Sequence, residues 1–336
     1  MTLGRRGTAR RLLRSLTVAV LVDKEVLVPG TSRFLAGEGD RPVVKALRRL
    51  VEKVVVGPYT NAAGLFKWIG DVKPDLVFNL TEQADGDRGK DGHICALLEL
   101  LKLPYTGTGP RGMTLCRDKA ISKLIAAREG FKTPEYFVLR ASAPRLPTRT
   151  IFPLVVKPRF GDASEGITQA SLVHTKEALL NRIAVLEASD TEDVICEEFI
   201  AGREMLVGVL GRRVMPVREL IVGRSSLSKP QLISYRLKHD KAVRRRWRVR
   251  TDFARLTSPQ ERKVRELTRR TFDALDLRDY GRLDLKLSPS GDWVFLEANP
   301  NPGLTPFNRS LAGIWSGIDY EKLIEQITIQ ALRRDY

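Results

Sequence analysis

The first hundred residues alternate short apolar runs with stretches whose apolar positions recur every three or four residues. Runs of the first kind are typical of buried strands, and a period near 3.6 is typical of helices that bury one face. The strands are expected at 17–22, 53–56 and 75–80, and the helices near 40–50 and 60–68. This alternation predicts an N-terminal α/β domain, residues 1–110, with a mainly parallel sheet.

The rest of the chain has a different order of elements, with several strands in succession. Helices are expected at 93–102, at 117–130, from the cap residue Thr175 to about 188, and from the capping box Ser258–Glu261 to about 275. Strands are expected at 153–157 and 167–173, and as an antiparallel set at 193–199, 203–210 and 213–220. We therefore predict a central subdomain, residues 111–190, and a C-terminal subdomain, residues 191–336.

The stretch Tyr280–Thr305 carries the strongest chemical pattern. Two β-type runs, Arg282–Leu287 and Trp293–Ala298, flank a turn signal. With a four-residue loop, Pro289–Asp292, Asp284 lies opposite Glu297, and Asn299 shares the strand face of Glu297. Two carboxylates and an amide oxygen suit one or two Mg²⁺ ions. The alternative is a hairpin with scattered solvent-facing acids, but uncompensated carboxylates are costly among apolar neighbours, which favours the metal site.

Composition bounds the cellular setting and the partners. With 29% charged and 43% hydrophobic residues among 336, the chain is predicted to be globular. No apolar run reaches the length of a membrane helix, and three cysteines without metal-like spacing favour a reducing cytoplasm. The apolar run Leu16–Val22, which follows several arginines, superficially resembles a signal peptide, but it lacks a small-residue cleavage site and is as well explained as a first buried strand. The net charge of +17 favours anionic partners without choosing among them.

Several residues between the two ends form an order that suits a nucleotide. Lys119 follows Arg117-Asp118 at a helix start, and Lys157 precedes a glycine-containing loop, Arg159–Gly166. Glu197, Glu198, Phe199 and Ile200, followed by Glu204, place carboxylates on a strand–turn–strand that could meet an adenine amine and ribose hydroxyls. Each residue alone is more typical of a solvated surface. Their order, followed by Asp284 and Glu297-x-Asn299, is what is specific.

With this set the chain resembles the D-alanine–D-alanine ligases of the ATP-grasp superfamily, from about residue 75 to the C-terminus. The matching motifs are Arg117-Asp118-Lys119-Ala120, Val156-Lys157-Pro158, Glu197 with Gly202-Arg203-Glu204, Gly281-Arg282-Leu283-Asp284, and Leu296-Glu297-Ala298-Asn299 with Pro302-Gly303-Leu304-Thr305. The resemblance implies an α/β ATP-grasp fold in which two α+β subdomains clasp ATP between antiparallel sheets.

The same resemblance implies roles for single residues. Lys119, Lys157 and Ser164 would contact the phosphates, Glu197 through Ile200 would face adenine, and Glu204 would hold the ribose. Asp284, Glu297 and Asn299 would bind two Mg²⁺, with Mn²⁺ as an alternative. A substrate carboxylate would take the γ-phosphoryl group and an amine would displace it, with Arg282 and the N–H of Gly303 stabilising the oxyanion. Segment 221–250 corresponds to a lid, whose Lys238 would reach the phosphoryl region.

The amino-acid half of the family pattern is altered. Asp23-Lys24-Glu25-Val26 stands where the family has a Gly-Gly-x-Ser-x-Glu turn, and Asp23 or Glu25 would have to replace its glutamate. Other family positions fall at Ala163, His239 and Asn308, and the last two are the tentative substrate contacts. We therefore predict carboxylate and amine substrates that are not two D-alanines, with the excess positive charge hinting at an anionic one. Family members are commonly dimers, which makes a homodimer an expectation of the resemblance.

Two other hypotheses stay open at this point. The chain could be an ATP-binding regulatory or assembly module without ligase turnover. It could also bind nucleic acid or an acidic surface through Arg236–Arg250, which holds eight basic residues and Trp247. The ligase hypothesis ranks first because only chemistry at an acyl centre needs the metal set together with Arg282 and Gly303.

Overall fold

The structure is a computed structural model that describes residues 11–35, 40–161, 166–223, 232–233, 240–304, 315 and 317–334. Within these ranges no helix is long and apolar enough to cross a membrane. The elements form three sheets, one parallel and two antiparallel.

The N-terminal sheet is the predicted parallel one. It consists of β1 (Thr17–Asp23), β2 (Lys53–Tyr59) and β3 (Leu76–Asn79) in the order β2-β1-β3, separated by α1 (Arg41–Leu50) and α2 (Ala62–Val72). Both faces of β1 are buried: Val18 and Val20 pack towards α1, and Ala19 and Leu21 pack towards α2. Helices on both faces explain why β1 is apolar throughout.

Three helices connect this sheet to the central one: α3 (Asp91–Leu100), α4 (Pro110–Arg117) and α5 (Lys119–Arg128). The prediction of one helix over 117–130 was wrong at its start, and α4 was not predicted. Asp118 has an extended backbone between α4 and α5, and its carboxylate accepts hydrogen bonds from the N–H groups of Ala120 and Ile121. An aspartate that caps the next helix ends the previous one.

The central sheet is antiparallel and is covered on one face by a helix. Its strands are β4 (Tyr136–Arg140), β5 (Leu154–Pro158), β6 (Leu172–Val173) and β7 (Asp193–Glu198), in the order β4-β7-β5-β6. The covering helix α6 (Lys176–Glu187) begins at the predicted cap, Thr175, whose hydroxyl accepts the N–H of Ala178 at 3.1 Å. The predicted strand 167–173 is wrong in its first half, because Gln169–Ser171 form a 3₁₀ turn.

The C-terminal sheet contains six strands. In chain order the elements are β8 (Arg203–Leu210), β9 (Arg213–Val214), β10 (Arg218–Ile221), α7 (Lys241–Arg246), β11 (Arg250–Phe253), α8 (Ser258–Ala274), β12 (Tyr280–Leu287), β13 (Trp293–Asn299) and α9 (Tyr320–Leu332). The strand order is β11-β10-β8-β12-β13, with β9 beside β8.

Two predicted boundaries in this region need correction. The predicted strand 213–220 is split between β9 and β10 around Pro216, which has no N–H to donate to a ladder. The capping box of α8 lies one residue earlier than predicted. Thr257 is the cap, it exchanges hydrogen bonds with Gln260, and Ser258 is already helical.

In the hairpin of β12 and β13, Asp284 pairs with Glu297 as predicted, but the loop and the strand register differ from the prediction. The loop is one residue shorter than predicted, since the N–H of Ser288 donates to the carbonyl of Asp292, and Gly291 takes a left-handed φ of 85°. A β-bulge at Leu296 adds one residue to β13 and restores the pairing of Asp284 with Glu297.

Apolar and polar side chains alternate along β12, so one face of the C-terminal sheet packs into a core and the other is polar. Leu283, Leu285 and Leu287 enter a core that includes Val264, Leu267 and Phe272 of α8. Arg282, Asp284 and Lys286 therefore lie on the opposite face, because neighbouring side chains of a strand point to opposite sides. That polar face is turned towards the central sheet.

Candidate active site

A cleft lies between the central and the C-terminal sheets. Strands β5 and β7 supply one wall, and β8, β12 and β13 supply the other. The residues lining it are Val155, Lys157, Ile167, Glu197, Glu198, Phe199, Ile200, Glu204, Leu232, Ile233, Asp284, Lys286, Leu296 and Glu297. Of the predicted nucleotide residues, Lys157, Glu197 through Ile200 and Glu204 thus share one space with the predicted metal carboxylates Asp284 and Glu297, whereas Lys119 is not part of the lining.

A buried cluster of charges closes the inner end of the cleft. Glu197 is 3% exposed, and its two carboxylate oxygens pair with Lys157 at 2.9 Å and Lys123 at 2.8 Å. Burial alone would raise the pKa of Glu197, but the two ammonium groups outweigh it and hold that pKa below its usual value. Burial lowers the pKa of Lys157, but the charges of Glu197 and Glu297 outweigh it and leave that pKa raised.

Lys123 is a site residue that the sequence analysis missed. It is fully buried, and besides its ion pair with Glu197 its ammonium donates to the carbonyl oxygen of Leu296 at 2.5 Å. Leu296 is the bulged residue of β13, so Lys123 bonds to the carbonyl at the irregularity that sets Glu297 opposite Asp284. Burial, and then the neighbouring Lys157, lower the pKa of Lys123 to about 8. Its spacing of four residues from Lys119 on one helix was the available signal.

Lys119 lies at the first turn of α5 with its ammonium against the phosphate-side loop. The ammonium donates to the carbonyl oxygen of Gly161 at 2.8 Å. Burial lowers the pKa of Lys119 to about 8, assisted by the charges of Lys157 and Lys123. The helix start is itself fixed by the cap residue Asp118, whose carboxylate pairs with Arg159 at 2.6 Å. Three lysines therefore converge on this end of the cleft.

Another part of the cleft combines charged side chains with an aromatic ring. Lys286, also missed by the sequence analysis, lies opposite Glu204 in the β8–β12 register and pairs with its carboxylate at 3.3 Å. The same ammonium lies 5.7 Å from the centre of the Phe199 ring. Glu198 is exposed, and the N–H of Phe199 donates to the carbonyl of Pro153 at 3.0 Å. Apolar and polar groups are mixed here, as a base and a ribose would require.

The predicted metal residues share the polar face of the hairpin. The guanidinium of Arg282 donates hydrogen bonds to both carboxylate oxygens of Asp284 at 2.5 and 3.0 Å, and the side-chain amide of Asn299 donates to the same carboxylate at 3.4 Å. Glu297 lies across the ladder from Asp284. In the described ranges no group of three or more His, Cys, Asp or Glu forms a metal centre. The set here is two carboxylates and one amide, and these hard oxygen donors fit Mg²⁺ that keeps part of its water shell.

Four predicted contacts, Ser164, Lys238, His239 and Asn308, lie outside the described residues. Gly303 is described and exposed. Of the predicted lid, Leu232 and Ile233 line the cleft, and the side-chain amide of Gln169 donates to the carbonyl of Leu232 at 3.0 Å. Gln169 lies just before β6 of the central sheet, so Leu232 of the predicted lid contacts the wall opposite the C-terminal sheet.

The residues that stand in place of the family's glutamate turn lie at the end of β1. Both carboxylate oxygens of Asp23 accept the N–H of Glu82 at 3.2 Å, and Glu25 accepts the side-chain amide of Gln83 at 3.2 Å. Burial, with the negative charge of Glu82 adding to it, raises the pKa of Asp23 to about 7. Asp23 begins a 3₁₀ turn, Lys24–Val26, that keeps this carboxylate at the edge of the N-terminal sheet.

The chain is similar to known proteins over most of its length. Residues 127–329 match a family model described as the D-ala D-ala ligase C-terminus. The D-alanine–D-alanine ligase of Aquifex aeolicus is 32% identical over 307 residues, which are 90% of this chain and 98% of that protein. An uncharacterized protein of Sinorhizobium fredii is 32% identical over 298 residues, 88% and 82% of the two chains. A D-alanine–D-alanine ligase structure from Bacillus anthracis, complexed with ATP, has the same fold, with a TM-score of 0.69 at 22% identity over 95% of this chain and 98% of that one.

Proposed function

Because this chain belongs to the D-alanine–D-alanine ligase family and has the ATP-grasp fold, we propose that it joins a carboxylate to an amine through an acyl phosphate formed with ATP. The observation that carries the proposal is the cleft in which Lys157 and Glu197 of the central sheet face Glu204, Asp284 and Glu297 of the C-terminal sheet. A plain nucleotide-binding module would use the same residues for Mg²⁺-ATP, but it would have no use for Arg282 on the strand face of Asp284.

The lysines of the cleft provide the charge that phosphoryl transfer between two anions requires. Lys119 and Lys157 would contact the phosphates, and Glu197 keeps the Lys157 ammonium charged and fixed in position. Phe199 and Ile200 would face the base, and Glu204 the ribose. Burial of this end of the cleft excludes water, which protects an acyl phosphate from hydrolysis.

Asp284, Glu297 and Asn299 would hold Mg²⁺, with two ions expected. Bound there, the metal would neutralise the charge of the transferred phosphoryl group. Arg282 lies on the same strand face, and its two hydrogen bonds to Asp284 fix the orientation of its guanidinium.

The proposed reaction has two steps, phosphoryl transfer and then formation of the amide bond. A carboxylate oxygen of the first substrate attacks the γ-phosphorus and the bond to ADP breaks. The amine of the second substrate attacks the acyl carbon, phosphate leaves, and the amine gives up a proton. Arg282 and the N–H of Gly303 would stabilise the oxyanion between these events.

We propose further that the two substrates are not both D-alanine. The support is the 3₁₀ turn Lys24–Val26 in place of a Gly-Gly-x-Ser-x-Glu turn, together with the residues His239 and Asn308 in the sequence. The Asp23 carboxylate is occupied by a backbone N–H of the same domain, which differs from a group held ready for a substrate ammonium.

The test is release of ADP from Mg²⁺-ATP by the purified protein with single amino acids and pairs of them, D-alanine alone included. We expect release with an acid–amine pair other than two D-alanines. Release with D-alanine alone would contradict the substrate proposal, and ATP binding without release under any condition would contradict the ligase itself.

The metal assignment has its own test, the substitution Glu297→Gln. It removes one metal charge without changing side-chain volume, so ADP release should be abolished while the far-UV circular dichroism spectrum is unchanged. Glu187→Gln, at an exposed position of α6, is the matched control and should retain full turnover. Full turnover by Glu297→Gln would refute the metal role.

A further inference from the structure

A second concave surface lies in the N-terminal domain, and the ligase proposal does not use it. We call it the α1 groove. Its volume is about 630 Å³, and its lining residues are Ser32, Arg33, Phe34, Arg41, Val44, Lys45, Arg48, Arg49 and Val56. Five of these nine residues are cationic. No acidic residue lines the groove within the described part of the chain.

The groove is built by a loop that folds against the outer face of α1. Leu27 and Phe34 form an antiparallel bridge, and the N–H of Val28 donates to the carbonyl of Arg33 at 2.7 Å. The Arg41 guanidinium donates to the carbonyl oxygens of Phe34 and Leu35 at 2.6 and 2.8 Å, which ties the loop to the first turn of α1. The surface is therefore a fixed concavity, unlike the convex face of an ordinary basic helix.

Three of the cations form a row along α1, and a fourth lies on the loop. Arg41, Lys45 and Arg48 are exposed at spacings of four and three residues along α1, which corresponds to about 6 and about 4.5 Å of helix rise. Arg33 lines the groove from the loop. Arg49 pairs with Glu321 at 3.3 Å, whereas Arg33, Lys45 and Arg48 form no ion pair with any described residue. Three uncompensated cations around one concavity favour a ligand with more than one negative charge.

The floor of the groove is apolar. Val44 and Val56 are buried beneath the cationic rim, and the partly buried Phe34 adds an aromatic ring. A volume of about 630 Å³ suits a small molecule, since ligand pockets usually enclose about 300–1,000 Å³. An apolar floor under a rim of guanidinium and ammonium groups matches a compound with an aromatic or apolar body and linked phosphates.

We propose that the α1 groove binds a small oligophosphate ligand of the nucleoside diphosphate kind, separately from ATP in the cleft. Arg33, Lys45 and Arg48 would contact the phosphates, and Phe34 with Val44 would contact the base or another apolar group. This site does not depend on ligase turnover, so it can be present even if the proposed reaction is absent.

The experiment is a calorimetric titration of the full chain with GDP while the cleft is filled with Mg²⁺ and one equivalent of a non-hydrolysable ATP analogue, so that no excess analogue competes for the groove. We expect one saturable site, with GDP displaced by inorganic tripolyphosphate. The combined substitutions Arg33→Ala, Lys45→Ala and Arg48→Ala should weaken GDP binding at least tenfold. Because all three side chains lie at the surface, the thermal unfolding temperature should be unchanged, and Lys45→Glu alone should weaken binding in the same direction.

The matched control removes the same charge elsewhere, with Arg255→Ala, Arg262→Ala and Lys263→Ala, three exposed positions near and on α8. It should change GDP affinity less than twofold. Equal loss in the control, or no saturable binding, would overturn the proposal as non-specific attraction to a basic protein. Tighter binding of a single-stranded oligonucleotide or of phosphatidylglycerol vesicles through the same three residues would also overturn it, in favour of a macromolecular or membrane surface.

Discussion

Replacing Lys123 by methionine tests whether the buried cluster supports both halves of the cleft. Methionine has a similar length and fills the space, so packing is largely kept while the ammonium is lost. The substitution removes the ion pair with Glu197 at 2.8 Å and the hydrogen bond to the Leu296 carbonyl at 2.5 Å.

The expected cost can be worked from these contacts. Removing one member of a buried ion pair costs about 3–5 kcal/mol, because the other charge is left without compensation. Glu197 keeps Lys157 at 2.9 Å, and the lowered pKa of Lys123 shows that burial already opposes its charge. Both facts place the loss at the lower end, at about 3 kcal/mol in the free energy of unfolding.

The assay is urea denaturation at pH 7, followed by far-UV circular dichroism. The control is Lys263→Met at an exposed position of α8, for which a change within about 0.5 kcal/mol is expected. The double variant Lys123→Met with Glu197→Gln should be less destabilised than the sum of the two single variants, by about 1 kcal/mol or more. A loss for Lys123→Met no larger than that of the control would refute the reasoning.

Two predictions concern pH. Because the Lys119 pKa is lowered to about 8 and bound phosphates would raise it, ATP binding at pH 8.5–9 should take up a proton. Calorimetry in buffers of different ionisation enthalpy should detect more proton uptake in the wild type than in Lys119→Met, because Lys123 also has a pKa lowered to about 8. Equal uptake in both would contradict the role of Lys119. Asp23, with a pKa raised to about 7, holds a proton in the folded state between about pH 4 and 7 that the unfolded chain has released, so stability should fall as pH rises through this window. Urea denaturation at pH 5 and 8 should show a smaller fall for Asp23→Asn, and an unchanged difference would contradict the assignment.

The sequence by itself determined those features that depend on interactions between residues close together in the chain. The alternation of β12 placed Asp284 on the polar face and Leu283 in the core, because side chains along a strand alternate between faces. The hydroxyl of Thr175 could be recognised as a helix cap because it acts on the first turn that follows it. The apolar runs of the first domain predicted a buried parallel sheet for the same local reason.

Only the tertiary structure decided how distant elements meet. The pairing of Asp284 with Glu297 depends on a bulge at Leu296, which no local sequence pattern predicts. The carbonyl of the bulged residue accepts a hydrogen bond from Lys123 of α5, a residue far away in the sequence. Lys123 and Lys286 become site residues only in the folded chain, where α5 packs Lys123 against Glu197 of the central sheet and the pairing of β8 with β12 sets Lys286 beside Glu204. Ion pairs between elements far apart in sequence arise from packing, because the low-dielectric space that makes them strong exists only after the chain has folded.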